Sequence, residues 1–420
     1  MAARRNTLTT RRIVVHTSEP SLGAARYVFE FVKGLAETDA SVALFCPSNF
    51  EYLQELEACG VEVFRAGARG VEPASIAVRI LRNLRFFVHT AWRQLHVCKS
   101  GDIIHFQFPL YFPFGLCFFL LAALRNCPIV FTVHDPLPHK WLWPERFRSF
   151  ERKMLEWGYR LSQRIIVHNE TGRKAMIREF GLQPHKLSVI CHGPFPLPQC
   201  SPNLPPCGGL RILVFGSIRE NKGTHLAIQA VQLLNARPGL PVCLTIAGGI
   251  ANAREESYWR QCKDLIEKQP DGIRVIEGSI SEADLGALLG DHHALLLPYL
   301  DFSSESGVAS LALSNRRPIL ATRAGGLGTL LAGCDCGIPI ESATAEGVAA
   351  AIAKARDGGR EVLECMGAEG EAFVSSTRSW RQIGTETLAL YAEPSGTGLS
   401  ARSNKKTSAS TACQEKRGNC

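Results

Sequence analysis

Long apolar runs, paired cysteines and an Asp-x-Asp motif are all missing from this chain. A membrane-spanning helix needs roughly 18 consecutive apolar residues. The nearest stretch, residues 112–124, is shorter and contains a proline and a glycine, so we interpret it as a buried helix. The 15 cysteines are odd in number and include no Cys-x-x-Cys pair, which argues against zinc sites and a disulfide framework. We therefore expect a reduced, cytoplasmic protein without structural disulfides.

Acidic residues are scarce at both ends of the chain, where its positive charge is concentrated. Residues 1–12 supply four cations and no acid, and residues 394–420 supply four further cations in excess. These two segments account for the whole formal net charge of +8, so the body between them is formally neutral. Nucleic-acid binding is therefore not expected. We predict a basic tail at 1–11, without a signal-peptide pattern after it, and a disordered tail at 394–420.

The body of the chain alternates short apolar runs with helical segments in two successive blocks. This alternation predicts βαβ units and mostly parallel sheets. Strands are predicted at 12–16, 41–46, 61–64, 103–106, 129–133 and 164–168 in the first block, and at 211–215, 242–247, 273–276, 294–298 and 318–322 in the second. Between the blocks, residues 193–209 contain six prolines and three glycines, which neither a helix nor a strand accommodates.

We therefore predict an α/β protein with two doubly wound, Rossmann-like domains that face each other across a cleft. The predicted domains span 12–195 and 210–377, with a Pro/Gly-rich linker at 196–209 and a C-terminal helix at 378–393. Such domains bind ligands at the carboxyl ends of their strands.

The segment 215–223 is the most informative motif. Gly216 follows an apolar strand, Arg219 and Lys222 come next, and a helical pattern starts at Thr224. Glycine lets a ligand approach the backbone, and the free N–H groups at a helix start favour an anion. The motif predicts a phosphate or pyrophosphate site. The alternative is an ordinary strand-to-helix turn with two solvated cations.

Two loops of the first block follow predicted strands in the same way. His134 and Asp135 come directly after the strand at 129–133. The imidazole can donate to a sugar hydroxyl or a phosphate, and the carboxylate can orient it. A capped loop with solvent-facing histidines is the alternative. Gly23, after the first strand, is a weaker candidate that a plain turn explains equally well.

The second block contains a small polar loop that opens a helix. The backbone N–H groups of Ser306, Gly307 and Val308 would point at a phosphate. Glu305 and the neighbouring serines would otherwise only cap the helix. A glycine turn at 325–327 allows close backbone approach in the same cleft.

In this order the motifs resemble retaining glycosyltransferases of the GT-B fold, and more narrowly the family-four (glycosyl transferases group 1) type. The resemblance covers about residues 12–391. It depends on Gly-x-Ile-Arg-x-x-Lys-Gly at 216–223, Leu-x-Ile-Ala-Gly at 244–248, Ser-Glu-Ser-Gly-Val at 304–308, and Pro-Ile-Leu-Ala-Thr-x-x-Gly-Gly-Leu at 318–327. It implies transfer of a sugar from a nucleotide sugar to a glycan or lipid-linked acceptor with retention, in polysaccharide or glycolipid biosynthesis.

The resemblance also implies roles for individual residues. Arg219 and Lys222 would hold the donor diphosphate, and His134 would touch the transferred sugar. The remaining donor-binding residues would be Gly23, Gly216, Gly248, Ser279, Ile280, Glu305, Ser306, Gly307 and Val308, with 277–280 against the nucleotide base. No metal or other cofactor is expected, because two cations and helix N-termini can neutralise a departing diphosphate.

One departure from the family pattern concerns two glutamates spaced eight residues apart. Ser303 and Leu311 occupy their positions here, and Glu305 lies two residues after the first. A related subset carries a Ser-Gln-Ser-Gly-Val-like loop, so we expect activity. The alternatives are a nucleotide-sugar epimerase of the same fold and a non-catalytic, nucleotide-binding homologue.

Residues 76–97 predict an amphipathic helix with a cationic arc. On a helical wheel its apolar residues lie opposite that arc, except Phe86 and Val97, which fall among the cations. The arc contains Arg79, Arg82, Arg85, His89, Arg93 and His96. We favour a helix whose apolar side packs on the domain and whose polar face points outward. The alternative is a peripheral contact with the inner face of a membrane.

Overall fold

The structure is a computed structural model. It describes residues 11–69, 76–110, 112, 114–136, 141, 144–206, 208–250 and 252–392. Apart from residue 11, the two predicted tails lie outside the described residues, so their character stays a prediction. Within the described ranges, two parallel sheets account for all the strands, and the α/β fold with two Rossmann-like domains is confirmed.

The first sheet has seven strands within the described residues, in the order β3-β2-β1-β4-β5-β6-β7, and its neighbouring strands are parallel. They are β1 (Ile13–Thr17), β2 (Val42–Cys46), β3 (Glu62–Arg65), β4 (Ile103–Phe108), β5 (Ile129–Thr132), β6 (Arg164–Val167) and β7 (Leu187–Val189). The strand order reverses between β1 and β4, which is the ligand-binding position of a doubly wound sheet. The sequence did not predict β7, because it is only three residues long and lies at the sheet edge.

Helices cover both faces of the first sheet. They are α1 (Leu22–Ala36), α2 (Leu53–Ala58), α3 (Ile76–Val97), α4 (Phe114–Leu124), α5 (Arg148–Leu161) and α6 (Glu170–Phe180). On one face, Phe31 of α1 packs with Val15 of β1. On the other face, Phe118 of α4 and Tyr159 of α5 pack with Val14. Because successive side chains of a strand point to opposite faces of the sheet, Val14 and Val15 of β1 each contribute to one of the two cores.

The second sheet has six strands within the described residues, in the order β10-β9-β8-β11-β12-β13. They are β8 (Leu210–Phe215), β9 (Val242–Gly248), β10 (Ile273–Glu277), β11 (Ala294–Leu297), β12 (Ile319–Thr322) and β13 (Gly337–Ile340). Here the order reverses between β8 and β11. The sequence did not predict β13, since it contains Gly337 and Pro339, which are tolerated because the strand lies at the sheet edge.

The helices of the second domain are α7 (Thr224–Asn235), α8 (Ala253–Lys268), α9 (Glu282–Gly290), α10 (Gly307–Ser314), α11 (Gly326–Gly333) and α12 (Ala345–Thr377). Within α12, Gly359 has a φ of +76° and interrupts the helical backbone. The linker is fastened to this domain: Asn315 accepts from the N–H of Leu197 at 2.8 Å, and buried Arg317 donates to the carbonyl oxygen of Ser201 at 2.8 Å. The domain limits 12–195 and 210–377 themselves stay predictions.

The last helix, α13 (Trp380–Ala392), returns to the first domain and packs against α1. The contact is close because glycines face each other across it. A Cβ on Gly384 would lie 2.4 Å from the carbonyl oxygen of Gly34, and a Cβ on Gly34 would lie 2.3 Å from that of Trp380. The sequence predicted a helix here without indicating which domain it covers.

The orientation of α3 is opposite to the one we favoured. Phe86, Thr90, Gln94 and Val97 are buried, and the Gln94 amide donates to the carbonyl oxygen of Phe118 at 2.9 Å. The exposed side carries the apolar stripe Leu81, Leu84, Val88, Trp92 and Leu95. The buried residues also recur at helical spacing, so the wheel contained two candidate inward faces. Packing against α4 selected the less apolar one.

Candidate functional site

Loops at the switch point of the second sheet meet beneath the first domain. A Cβ on Gly216, after β8, would lie 3.5 Å from Cγ2 of Val308 in the first turn of α10. The N–H of Leu300, after β11, donates to the carbonyl oxygen of Asn221 at 2.8 Å. The predicted cation loop and the predicted polar loop therefore lie side by side.

Two glycines bring the ends of β8 and β9 unusually close. Gly216 has a φ of +110° and Gly248 a φ of +159°. A Cβ on Gly248 would lie 1.8 Å from the carbonyl oxygen of Gly216, so no other residue fits at 248 without moving the backbone. Both predicted glycines thus shape the floor of the candidate site.

Arg219 and Lys222 are half-buried beside this floor. Within the described part of the chain neither forms a salt bridge, and the buried Nε of Arg219 has no hydrogen-bond partner. The Nζ of Lys222 lies 3.6 Å from the ring centroid of Tyr299 and 4.9 Å from that of Phe302. Aromatic faces hold an ammonium group without neutralising it. Both cations are therefore available to an anion.

The N-terminus of α10 offers further donors. Ser306 is the N-cap, and its hydroxyl accepts from the N–H of Ala309 at 3.2 Å. Among the described residues, no acceptor is bonded to the N–H groups of Gly307 and Val308. The capping alternative and the anion-site prediction are thus compatible, because the cap uses one amide and leaves two open.

His134 lies in a chain of hydrogen bonds at the carboxyl ends of the first sheet. Its Nδ1 is 3.1 Å from Nε2 of His168, whose Nδ1 is 2.9 Å from the carbonyl oxygen of Ile190. A carbonyl only accepts, so His168 carries its proton on Nδ1 and accepts on Nε2 when neutral. His134 therefore donates from Nδ1.

The Nε2 of neutral His134 is left as an acceptor, 3.2 Å from the side-chain amide of Gln107. Because rotation by 180° exchanges the two ends of an amide, this tautomer is satisfied when the NH₂ of Gln107, and not its Oε1, faces the imidazole. Burial lowers the pKa of His168 to about 4 and that of His134 well below its usual range, so both rings are neutral at pH 7. We expected the imidazole to donate to a sugar hydroxyl or a phosphate. With Nδ1 donating to His168, the nitrogen left for a ligand is Nε2, which accepts in the neutral ring.

Asp135 has a different partner from the expected imidazole. Its Oδ1 accepts from the hydroxyl of Ser304 at 2.6 Å, across the interface between the two domains. The contacts that orient His134 come instead from His168, from Gln107 and from Phe108, which stacks on it at 3.9 Å. Sequence reasoning missed these residues, although each lies at or near the carboxyl end of a strand.

Glu305 is already engaged. Its side chain is 1% exposed and accepts from Arg378 at 2.7 Å and from Asn169 at 3.3 Å. Gly326 makes room for it, since a Cβ there would lie 1.8 Å from Oε2 of Glu305. In the structure, the group that lies close to the backbone of the 325–327 turn is the Glu305 carboxylate. A donor-binding role for Glu305 stays a prediction, with both oxygens occupied by protein.

The other predicted residues lie at the rim. Gly23 is the second residue of α1 and is exposed, and a Cβ on it would meet no atom within 4 Å. Leu22 before it has a φ of +63°. Ser279 is exposed and Ile280 half-buried in the loop after β10, next to Gly249. Of these residues, Gly23 has open space around it for a ligand, whereas Ile280 packs partly against the core.

The comparisons agree with this architecture. The family model Glycosyltransferase Family 4 matches residues 22–193, and Glycosyl transferases group 1 matches residues 209–357. No curated protein matches the chain significantly by sequence. The two consecutive matches and the two facing domains support a glycosyltransferase with the GT-B fold.

Solved structures show the same fold at low identity. HepE from Anabaena, in complex with UDP and glucose, is 15% identical with a TM-score of 0.67, over 91% of this chain and 99% of that chain. Sucrose-phosphate synthase from Thermosynechococcus elongatus is 16% identical with a TM-score of 0.68, over 91% and 98%. The starch synthase IV catalytic domain from Arabidopsis thaliana, bound to ADP and acarbose, is 11% identical with a TM-score of 0.63, over 90% and 99%.

Proposed function

We propose that this protein transfers a sugar, of the hexosyl type, from a nucleotide-sugar donor to a glycan or lipid-linked acceptor with retention of anomeric configuration. The observation that carries the proposal is the pair of unneutralised cations, Arg219 and Lys222, beside the open amides of α10. Among the similar structures, HepE is bound to UDP or UDP-glucose, and the starch synthase domain to ADP. These ligands share the diphosphate that the cations would bind.

In this proposal the reaction takes place between the two sheets. The acceptor oxygen forms a bond to the anomeric carbon as the bond to the donor phosphate breaks, and the acceptor proton passes to the departing diphosphate. Arg219, Lys222 and the N-terminus of α10 neutralise the charge that develops there, which is the contribution usually made by a metal ion. A sugar hydroxyl would replace the Gln107 amide at Nε2 of His134 and donate to that nitrogen.

Closure of the two domains would exclude water from the reacting centre. Asp135 and Ser304 already connect the domains at this level.

The cysteines of the described ranges are free thiols, which supports the proposed cytoplasmic location. Polysaccharide or glycolipid biosynthesis is the pathway class that such a transfer would serve.

The test is nucleotide diphosphate release from a panel of UDP-, GDP- and ADP-sugars, with and without glycan and lipid-linked acceptors. Acceptor-dependent release, with the donor's anomeric configuration conserved in the product by NMR, supports the proposal. Isomerised donor without acceptor would instead identify an epimerase. Binding without turnover would identify a non-catalytic homologue.

A variant series separates the roles. Arg219→Ala should reduce release at limiting donor concentration by weakening donor binding, whereas His134→Ala should bind UDP normally and lose turnover. The matched control is Arg237→Ala, an exposed arginine of the same domain after α7, which should leave both quantities unchanged.

A further inference from the structure

The outward side of α3 is an apolar surface. Leu81, Leu84, Val88, Trp92 and Leu95 follow one another at spacings of three and four residues, so they form one stripe along the helix. Their exposed fractions are 68%, 54%, 56%, 52% and 37%. Single exposed apolar residues are ordinary, but an aligned series of five marks an interaction surface.

Neighbouring helices extend this surface. Phe114 at the start of α4 is 50% exposed and contacts Phe87 of α3, with ring centroids 5.8 Å apart. Leu124 at the other end of α4 is 78% exposed. Next to α4, α5 presents Phe150 and Trp157, at 44% and 51%. Large apolar side chains therefore point outward from three consecutive helices on one face of the first domain.

Every charged residue of α3 is basic, and α4 contains none. Arg85, His89 and His96 are exposed along one flank of the α3 stripe. Residues 73–134 contain a single acid, Asp102, which is buried and paired with Arg12 at 2.7 Å. On α5, Trp157 lies between the exposed Lys153 and Arg160, although that helix also carries glutamates.

We propose that this surface, formed by the outward sides of α3, α4 and α5, docks on a lipid bilayer that carries anionic headgroups. A helix lying in a bilayer interface buries leucine and tryptophan at the acyl boundary and places its cations at the headgroups. Each lysine or arginine near an anionic surface adds electrostatic attraction. No helix in the described ranges has the length and apolar character needed to cross a membrane.

The charge pattern favours lipid over protein as the occupant. A second copy of this chain would oppose cations with cations across a symmetric contact, which is unfavourable. Another protein would need an apolar surface of matching shape with acidic flanks. A fluid anionic bilayer supplies both features without shape complementarity. Lipid binding does not depend on the proposed transfer reaction. If both proposals hold, they together favour a lipid-linked acceptor over a soluble glycan.

The test is co-sedimentation of the full-length protein with phosphatidylcholine vesicles, with and without phosphatidylglycerol. We expect binding to the anionic vesicles that weakens with salt, because exposed charges are screened. The double variant Leu84→Glu/Trp92→Glu should bind at least tenfold more weakly. Since both positions are exposed, the fold should tolerate the changes. Leu240→Glu, at a position 64% exposed on the second domain, is the matched control and should bind like the original protein.

Three outcomes would overturn the proposal. They are no vesicle binding by the original protein, equal binding by the double variant, and self-association that the double variant abolishes, which would assign the surface to a second copy. UDP affinity, measured on the same samples, keeps this test separate from that of the transfer reaction, since the double variant should bind UDP normally.

Discussion

Glu305 and Arg378 form a buried ion pair that joins three parts of the molecule. Their charged atoms lie 2.7 Å apart, and the side chains are 1% and 4% exposed. Glu305 belongs to the loop before α10, and Arg378 to the junction between α12 and α13. Asn169, the N-cap of α6 in the first domain, donates to the same carboxylate. The pair therefore ties the candidate phosphate loop to the helix that returns to the first domain.

Glu305→Ala should destabilise the protein by about 3–5 kcal/mol, because it leaves the Arg378 guanidinium buried without a counter-charge. Urea unfolding followed by circular dichroism measures this change. The matched control is Glu364→Ala, which removes the partially exposed partner of Arg360 and should cost at most about 1 kcal/mol. An equal decrease in the free energy of unfolding for the two variants would show that the buried pair contributes no more to stability than the exposed one.

Arg219→Ala should weaken UDP binding roughly ten- to a hundredfold, since a hydrogen bond to a charged group contributes about 1.5–3 kcal/mol. Lys222→Ala should act in the same direction. Calorimetric titration with UDP measures both effects, with Arg237→Ala as the control. Unchanged affinity in both Arg219→Ala and Lys222→Ala would contradict the position assigned to the diphosphate.

Gly248→Ala should destabilise the second domain and abolish UDP binding, because its Cβ would overlap the carbonyl oxygen of Gly216 at 1.8 Å. Thermal unfolding with and without UDP is the measurement. Gly208→Ala, where a Cβ would meet no atom within 4 Å, is the control. An unaltered melting temperature for Gly248→Ala would mean that the two strand ends separate easily.

Gly23→Ala distinguishes an effect on stability from an effect on donor binding. The position has open space and no positive φ, so stability should not change. If the donor passes as close to this backbone as predicted, the added methyl group should raise the donor KM several-fold at constant melting temperature. A KM equal to that of the original protein would remove Gly23 from the donor site.

Stability should fall as the pH falls below about 6.5. Burial lowers the pKa of His16 and of His105 to about 3 each, and that of His168 to about 4. Between these values and the unfolded value near 6.5, the unfolded chain binds protons that the native state excludes. Each such histidine therefore removes about 1.4 kcal/mol per pH unit within that window.

His16 tests this effect outside the candidate site. Neither of its buried ring nitrogens has a hydrogen-bond partner within the described residues, and Phe45 stacks on the ring at 4.9 Å. His16→Leu should reduce the loss of stability between pH 6.5 and 4.5, measured by urea unfolding at each pH. His185→Leu, at an exposed position, is the control. An unchanged acid dependence in His16→Leu would show that this ring is protonated in the folded protein.

The features predicted correctly from the sequence are local ones. The strands around Val14 and Leu213 were located because buried parallel strands appear as short apolar runs. The motif of Gly216 followed by two cations was recognised because a strand end and a helix start lie within nine residues of each other. Each of these signals depends on neighbours in the chain, which the sequence displays directly.

Features that join distant residues were not predictable in this way. The inward face of α3 was chosen by packing against α4, since two faces of its wheel had helical spacing. The tautomer of His134 follows from Ile190, 56 positions later, through His168. The pairing of Glu305 with Arg378 exists only because α13 crosses back onto α1.

The order of apolar and polar residues along the chain alone determined two parallel α/β domains and a cation-bearing loop after the first strand of the second. Tertiary structure alone decided which polar groups are neutralised by partners and which remain free for a ligand. The reason is physical: hydrogen bonds, ion pairs and burial depend on distances in space, and residues far apart in sequence meet only when helices and sheets pack.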